Sequence, residues 1–445
     1  MSYKDFTKYV EKHREKILEV ERYVWQHPET GFREWNTSKY LAKIFEDAGY
    51  ELTYAGDIPG FYTDIDTGRP GPKVLVFGEL DALLSPNHEE QVNGCAHACG
   101  HNTQVAALVG ISLALKEPGA LDGLSGSIRL CAVPAEELIE IEYRDSLRKQ
   151  GIIHYLGGKV EYMYRGYFDD VDMAFMNHIA SAPEPTFYVN DANGCVAKTI
   201  TYTGMAAHAG GAPHNGINAM YAAVQGINAI NALRETFEDE DHVRVHPIIT
   251  AGGSSVNIIP AVAKLQSYVR GATLDCIKKN NIKVNRALAA GALGLGAEVV
   301  VEDRPGYAPL YYDHNLGNLM MEVAREIIPA ENVKVSQFGK GSTDMGDIAA
   351  VMPAVHAHIS GSTGKCHGDE FKITDPETAC VKSASVYMMT LRALLENDAE
   401  KAREIKANAK PQFESIRAYF EAVDYFMADR DMVKYTENGA EVNFK

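Results

Sequence analysis

The chain has 445 residues, of which 46% are hydrophobic and 23% charged, a composition typical of a globular protein long enough for two domains. Its formal net charge of −17 argues against a nucleic-acid-binding protein, which needs a basic face. Its seven cysteines show no pairing pattern, and neither an apolar leader nor an apolar stretch of roughly 18 residues is present. We therefore predict a reduced, soluble, cytoplasmic protein that does not span a membrane.

The first part of the chain is predicted to alternate helices with strands. Residues 3–50 favour helices because Val20, Tyr23 and Val24 recur at helical spacing. The next predicted elements are a strand over 73–78, a helix over 104–116, and strands over 127–134 and 172–176. This order predicts an α/β layered domain.

Near residue 189 the pattern changes. The predicted elements are a strand over 196–202, a helix over 218–237, strands over 244–251 and 263–273, a helix over 274–291 and a strand over 297–302. Strand-helix-strand-strand-helix-strand is the ferredoxin-like order. We therefore predict an α+β domain over 189–304, inserted in a discontinuous α/β domain formed by 1–188 and 305–445. Residues 396–445 are charged and helix-prone, without a motif that indicates a role.

Candidate metal ligands follow the predicted strands of the first domain. Cys99 and His101 carry thiolate and imidazole groups, which bind zinc-like ions, and the glycine between them lets the backbone bend. The pair Glu136-Glu137, His178 and His367 also lie at strand ends or in adjoining loops, where open α/β sheets place their active sites. Each alone has an ordinary explanation, such as a buried thiol or a solvated acidic pair. Their joint occurrence favours a site.

The candidates form a coherent set. Cys99, His101, Glu137, His178 and His367 supply enough ligands for two metal ions if one ligand bridges, and centres with ions roughly 3.5–4 Å apart activate water and polarise carbonyl oxygens. Glu136 could take a proton from that water and pass it to a leaving amine. Two adjacent glutamates can have these two roles only if the end of the strand breaks the alternation of side chains.

These motifs resemble the M20 metallopeptidase family, and in particular its amidohydrolase branch, which includes auxin-conjugate and aminobenzoyl-glutamate hydrolases. The matching segments run through most of the chain: 79–83, 97–102, 134–137, 157–159, 168–172, 177–178, 204–210, 256–260, 341–347 and 366–371. The cysteine at a ligand position and the run Ser-Thr-Asp-Met-Gly-Asp at 342–347 point to the amidohydrolase branch.

The resemblance implies a two-metal hydrolase of amide bonds that uses Zn²⁺ or Mn²⁺, with Glu136 as general base. It implies five metal ligands, of which Cys99 bridges the two ions: Cys99, His101, Glu137, His178 and His367. It also implies that 189–304 is a lid and dimerisation domain of a homodimer. His208 of one copy would then reach the partner's site and stabilise the oxyanion, a role that suits a hydrogen-bond donor. A loop histidine without such a role is the alternative.

Two positions depart from the family's common pattern. Asn102 stands where an acidic residue usually follows Cys-Gly-His, so we do not expect it to be a ligand. Glu79 replaces the histidine of the peptidases' His-x-Asp, so a ligand at Glu79 is not assumed. Asp81 is either a residue that orients His101 from behind or a turn residue at the strand end.

Family substrates are N-acyl amino acids or small dipeptides with a free carboxylate. Arg270, on a predicted lid strand, is the candidate for binding that carboxylate, because guanidinium groups bind carboxylates in bidentate fashion. Asn257 could add a hydrogen bond to the substrate. The alternative for Arg270 is that it is an exposed charged residue on a strand, with no role in binding. The sequence does not select the acyl group, the native metal or the assembly beyond a dimer.

The leading hypothesis is a metal-dependent hydrolase of N-acyl amino acids, of the aminobenzoyl-glutamate or aryl-acyl conjugate type. A dipeptidase or carboxypeptidase, and a hydrolytic deaminase of an aromatic amine, are the alternatives within the enzyme class. A metal-free binding or regulatory homologue would have lost the base or a ligand, whereas Glu136 and His367 are both present. A purely structural zinc site is disfavoured, because such sites usually have several cysteines.

Overall fold

The computed structural model describes residues 2–444, which form two compact units. The first unit comprises the chain up to Asp191 together with Tyr311–Phe338 and Asp344–Ile416. The second comprises Ala192–Leu310, Gly339–Thr343 and the chain from Arg417 onward. Among the described residues, no helix combines the length and apolarity needed to cross a bilayer.

The helices alternate with strands along much of the chain. The helices are, in chain order, α1 (Thr7–Glu11), α2 (Arg14–Trp25), α3 (Trp35–Asp47), α4 (His101–Leu115), α5 (Ile141–Lys149), α6 (Gly158–Tyr164), α7 (Ala219–Ala232), α8 (Leu274–Leu295), α9 (His314–Ala324), α10 (Met345–Ala349), α11 (Ser383–Asn408) and α12 (Ile416–Val423). The backbone leaves the helical conformation inside α11 at Glu396–Ala399.

The strands are, in chain order, β1 (Thr53–Tyr54), β2 (Phe61–Asp66), β3 (Lys73–Glu79), β4 (Leu83–Leu84), β5 (Cys95–Ala96), β6 (Ser127–Val133), β7 (Met173–Ser181), β8 (Phe187–Val189), β9 (Gly194–Thr203), β10 (Arg244–Val245), β11 (Ile248–Ala251), β12 (Val262–Gly271), β13 (Glu298–Tyr307), β14 (Val333–Val335), β15 (Ala354–Thr363), β16 (Lys372–Ile373), β17 (Ala428–Thr436) and β18 (Gly439–Val442).

The first unit is built on a mixed sheet in the order β1-β2-β6-β3-β7-β15-β8-β14. Its central strands β6, β3, β7 and β15 are parallel neighbours, and their apolar side chains are buried, as expected when helices cover both faces. Parallel strands bring their carboxyl ends to one edge of a sheet, which is where the predicted site residues follow. The α/β fold class is therefore confirmed.

The second unit contains the predicted ferredoxin-like arrangement. Its antiparallel sheet has the order β10-β12-β9-β13-β17-β18, with β11 also paired to β12. Helices α7 and α8 pack on this sheet, and their buried side chains share a core with those of the strands. The predicted strand 244–251 is split into β10 and β11 by His246-Pro247, because proline has no N–H to donate to a ladder.

The C-terminal residues differ from the prediction, which placed 305–445 in the first domain and took 396–445 as helix-prone. Strands β17 and β18 form a hairpin, and β17 pairs with β13 in the second unit. This pairing buries Met432 and Val433 in the core of that unit. The second unit also begins and ends a few residues beyond the predicted 189–304, because β13 continues to Tyr307.

Candidate active site

A glycine turn separates Cys99 from His101. Gly100 has a φ of 79°, and a Cβ atom there would lie 2.4 Å from Cγ2 of Ile179, so the position needs glycine. His101 is the first residue of α4, and Cys99 lies on the other side of the turn. Both side chains are buried.

Several predicted ligands lie close to the Cys99 thiol. Its Sγ lies 3.3 Å from Nε2 of His178 and 3.3 Å from Nε2 of His367. A further thiol, that of Cys366, lies 3.5 Å from Sγ of Cys99 and was not among the predicted site residues. The backbone N–H of His367 donates to the carbonyl oxygen of Ala98, which fixes the distant 366–367 segment against the Cys99 loop.

Nδ1 of each of two histidines faces a backbone carbonyl oxygen. His101 donates from Nδ1 to the carbonyl oxygen of Asp81 at 2.9 Å, and His178 donates from Nδ1 to the carbonyl oxygen of Ile179 at 2.8 Å. Because a carbonyl oxygen can only accept, Nε2 of each neutral ring keeps its lone pair for another partner. In β7, which runs past the predicted end of its strand to Ser181, His178 lies within the strand.

The end of β6 breaks the alternation of side chains, as the two glutamate roles require. Ala135 has a φ of 58°, a conformation uncommon outside glycine. After this turn, Glu136 Oε2 lies 3.9 Å from His101 Nε2 and Glu137 Oε1 lies 3.2 Å from His367 Nε2. Both glutamates are buried.

Asp81 connects two of the predicted ligands. Its Oδ1 lies 3.2 Å from Nδ1 of His101, and its Oδ2 accepts a hydrogen bond of 2.8 Å from the backbone N–H of Glu137. These contacts fit the predicted orienting role better than a turn role. Asn102, which we did not expect to be a ligand, donates instead to Glu21 at 2.8 Å.

A buried ion network, which the sequence did not reveal, borders Nε2 of His101, from which Oε2 of Glu79 lies 3.1 Å away. Lys159 is fully buried and donates to both Glu79 and Asp344, and Glu79 also accepts from Gln104. Burial opposes the charge of Lys159, but Asp344 and Glu79 outweigh that effect and raise its pKa. Lys159 and Asp344 stand in the motif segments 157–159 and 341–347, which was the available signal, but nothing in the sequence says that they pair.

The carboxylates of the site outnumber its cationic groups. Burial, together with Glu79, Glu137 and Asp344, raises the pKa of Glu136. Burial alone would lower the pKa of His101, but the charges of Glu79 and Asp81 raise it well above its usual range. Negative charge concentrated in a buried place favours a bound cation.

The donor atoms fit divalent metal ions. Thiolate, imidazole and carboxylate groups suit zinc and related ions. His101 Nε2 and Glu137 Oε1 are buried without a well-aligned hydrogen bond, so both remain available to a metal. The possible ligands fall into three overlapping groups: Cys99 with Cys366 and His367, Cys99 with His101 and His178, and Glu79 with His101 and Glu136.

The remaining predicted residues lie in the second unit. His208 is exposed, and its Nδ1 accepts from the backbone N–H groups of Gly210 and Gly211 at 3.2 and 2.9 Å. Asn257 lies on the neighbouring segment, where its carbonyl oxygen accepts from the N–H of Ala209.

Arg270 lies on β12 and has protein partners in the second unit. Its guanidinium donates to Ser342 Oγ at 2.7 Å and lies 5.0 Å from the ring centre of Tyr268. Arg270 is half-buried. Its position on a strand of this unit is therefore as predicted, while its contact with Ser342 was not predicted.

Comparison with known proteins places the chain in a family. The family model of peptidase family M20/M25/M40 matches residues 60–393. The chain is 28% identical over 413 residues to the Xaa-Arg dipeptidase of Homo sapiens, covering 86% of this chain and 85% of that protein. It is 27% identical over 405 residues to a chain of the p-aminobenzoyl-glutamate hydrolase of Escherichia coli strain K12, covering 86% and 76%.

A solved structure has the same fold. It is that of the YXEP protein of Bacillus subtilis, a dinuclear metal-binding peptidase of the M20 family, with a TM-score of 0.63, 20% identity, and coverage of 86% of this chain and 99% of that one. The chain thus belongs to peptidase family M20/M25/M40 and is a metal-dependent amidohydrolase, which confirms the family that its motifs predict.

Proposed function

We propose that this chain hydrolyses the amide bond of small N-acyl amino acids, with Glu136 as the general base. The observation that carries the proposal is that Cys99 lies 3.3 Å from both His178 and His367, and that His367 in turn lies 3.2 Å from Glu137. His101 and Glu136 lie alongside, 3.9 Å from each other. Cys99, His101, Glu137, His178 and His367 would hold two divalent cations, Zn²⁺ or Mn²⁺. When bound, such cations lower the pKa of water and polarise the scissile carbonyl group.

Glu136 has the environment of a group that both takes and returns a proton. Its pKa is raised because it is buried and close to other carboxylates, so its affinity for a proton is greater than that of an exposed glutamate. A base with that property can accept the proton of the attacking water and then give it to the departing amine. Asp81 would assist by holding His101 in the tautomer that leaves Nε2 unprotonated.

Residues of the second unit would bind the substrate. In the neutral ring of His208, Nδ1 accepts two backbone hydrogen bonds, so the proton is on Nε2 and can be donated to an oxyanion. We propose that His208 does this in the site of a second copy. Arg270 would bind the substrate carboxylate and Asn257 would add a hydrogen bond, with the Ser342 contact keeping the guanidinium in position.

A homodimer formed by the second unit is part of this proposal. Strand β11 is exposed along its length and pairs with β12, and its Ile248 and Ile249 are 50% and 45% exposed. Tyr221 on α7 is also exposed. Exposed apolar side chains on a sheet edge favour pairing with another chain. Light scattering should show a dimer that Ile249→Lys converts to a monomer.

The relative named Xaa-Arg dipeptidase favours a second candidate, a dipeptidase. The two candidates differ in whether the substrate needs a free α-amino group. The test is amine release, followed by mass spectrometry, from a panel of N-acyl amino acids and dipeptides, using protein loaded with Zn²⁺ or Mn²⁺.

We expect release from N-acyl amino acids that disappears in Glu136→Gln. Release only from substrates with a free amino terminus would favour the dipeptidase. Ammonia without cleavage of an acyl group would favour the deaminase. No release from any substrate by protein that holds two metal ions would contradict the proposed function.

A further inference from the structure

We propose that Cys366 is a metal ligand, so that the cation position beside Glu137 and His367 is surrounded by two thiolates, an imidazole and a carboxylate. The proposal rests on the proposed function to the extent that it requires cations at this site. Cys366 has no role in that function, and its neighbour His367 is the ligand that the motif predicts.

The distances among three of these side chains suit a tetrahedral zinc site, because the donor atoms of Cys99, Cys366 and His367 all lie within 4.8 Å of one another. Cys366 Sγ lies 3.5 Å from Cys99 Sγ, Cys99 Sγ lies 3.3 Å from His367 Nε2, and His367 Nε2 lies 3.2 Å from Glu137 Oε1. Bond lengths of about 2.3 Å to sulfur and about 2.0–2.1 Å to nitrogen place neighbouring tetrahedral ligand atoms about 3.3–3.8 Å apart. The spacings of the two thiols and the imidazole are therefore close to those around a tetrahedral zinc ion, and Glu137 is held beside them by its contact with His367.

The backbone explains how two consecutive residues face one point. His367 has a φ of 64°, a left-handed conformation that costs free energy and tends to persist at functional sites. The loop is held by the hydrogen bond from His367 N–H to Ala98 and by that from Gly368 N–H to the carbonyl oxygen of Lys365. This turn brings the Cys366 and His367 side chains to the same thiol, that of Cys99.

An additional thiolate would make the two cation positions unequal. Thiolates favour zinc over manganese, and four protein ligands leave a tetrahedral ion with no open position for water. The position beside Glu137 and His367 would then be a closed zinc site. Water would bind on the side of His101 and His178, where Glu136 is present to accept its proton.

Cobalt(II) spectroscopy tests this assignment without measuring activity. If Cys99 bridges two ions and Cys366 binds one, the wild type has three cobalt–sulfur bonds and Cys366→Ala has two. We therefore expect the sulfur-to-cobalt charge-transfer absorbance per protein to fall by about one third in Cys366→Ala. Cys95→Ala, which removes a partly exposed thiol of the same unit, should leave the band unchanged.

A second measurement uses the wild type alone, so it does not depend on the folding of a variant. Alkylation by iodoacetamide, located by peptide mass spectrometry, should be slower at Cys366 by roughly tenfold or more after zinc loading, because a bound thiolate reacts slowly. The rate at Cys95 should not change. An unchanged cobalt band in Cys366→Ala, or equal labelling of Cys366 with and without zinc, would overturn the proposal.

The results separate this proposal from the proposed function. Protein that hydrolyses amides with a band insensitive to Cys366→Ala would contradict only the role of Cys366. Protein with the expected cobalt spectrum but no hydrolysis of any amide would contradict only the proposed function. Protein that binds no cation at all would overturn both.

Discussion

Each unit of the molecule buries a lysine in an ion network, and the two networks differ in their balance of charge. Lys159 in the first unit donates to two buried carboxylates, those of Glu79 and Asp344. Lys198 in the second unit donates to the carboxylate of Asp303 and to the amide oxygen of Asn281. Arg430 also donates to Asp303, so the second network has two cationic groups for one carboxylate.

The pKa values follow this balance. Burial lowers the pKa of both lysines. At Lys159 two carboxylates outweigh burial and raise the pKa, whereas at Lys198 the single carboxylate does not, and the pKa stays lowered. Surplus carboxylate is costly in a folded protein unless a cation joins it. The first network, which borders His101, is therefore suited to a centre that binds metal. The second has no surplus carboxylate and serves to hold its unit together.

The largest effect expected from this contrast is on catalysis. Glu136→Gln should lower kcat by a factor of about 10²–10⁴, the usual contribution of a general base, while cation content stays near that of the wild type. Asp303→Asn alters the network of the second unit and should lower its stability. At temperatures where that variant is folded, its kcat should stay within severalfold of the wild type. If Glu136→Gln kept more than a tenth of the wild-type kcat, Glu136 would not be the base.

The next prediction compares the two lysines directly. Lys159→Met leaves the buried carboxylates of Glu79 and Asp344 without their lysine, so it should destabilise the first unit by about 3–5 kcal/mol in metal-free protein. Lys198→Met leaves Asp303 paired with Arg430, so its cost to the second unit should be smaller. Zinc should reduce the loss of stability in Lys159→Met, because a bound cation replaces part of the missing charge near Glu79. It should not reduce the loss of stability in Lys198→Met. Hydrogen exchange of peptides from each unit, with and without zinc, measures the stability loss in both variants. An equal gain of stability with zinc in the two variants would contradict the proposed difference between the two networks.

Several of these features could be predicted from the sequence because their signals are local. The apolar run 74–77 predicted the central strand β3, and polar residues after successive strands predicted where a site forms. The ion network could not be predicted, because Lys159 pairs with residues 80 and 185 positions away in the chain. No periodicity links such positions.

Two further features escaped prediction for related reasons. Cys366 lies beside a predicted ligand, but a thiol next to a histidine has no fixed direction until the backbone turns, and that turn depends on the unusual φ of His367. The hairpin β17–β18 has a charged, helix-prone composition, and it is a strand because β13 offers an edge to pair with. Tertiary pairing, not local preference, decides both.

A buried carboxylate of the first unit, that of Glu21, also predicts a dependence of stability on pH. Burial raises the pKa of Glu21 to about 7, while Asn102 donates to its carboxylate. Because the folded-state pKa is higher than the unfolded value of about 4.5, folding favours the protonated form. The stability that Glu21 contributes is therefore complete below about pH 4.5, and it is lost as the pH rises to about 7.

Glu21→Gln removes this dependence and keeps an oxygen that can accept from Asn102. The variant should be about as stable as the wild type near pH 4.5 and more stable by about 2–3 kcal/mol at pH 8. Glu19→Gln, an exposed carboxylate on the same helix α2, is the control and should change little at either pH. Thermal unfolding at the two pH values checks this, and an equal gain at both would show that the effect is not due to titration.

The smallest effect is expected where the second network holds the C-terminal hairpin. Arg430 on β17 donates to Asp303 on β13 at 2.6 Å, a diagonal contact across the paired strands, since Arg430 lies opposite Val301. Arg430→Met keeps much of the aliphatic stem but removes this charged hydrogen bond, so we expect a loss of about 1.5 kcal/mol. Because Lys198 still pairs with Asp303, the cost should be smaller than that of Lys159→Met, which leaves two buried carboxylates without their lysine. Hydrogen exchange should speed up in 428–442 while peptides around Cys99 and His101 keep their rates. Faster exchange around Cys99 and His101 as well would mean that the second network also supports the metal site. The proposed difference in role between the two networks would then be wrong.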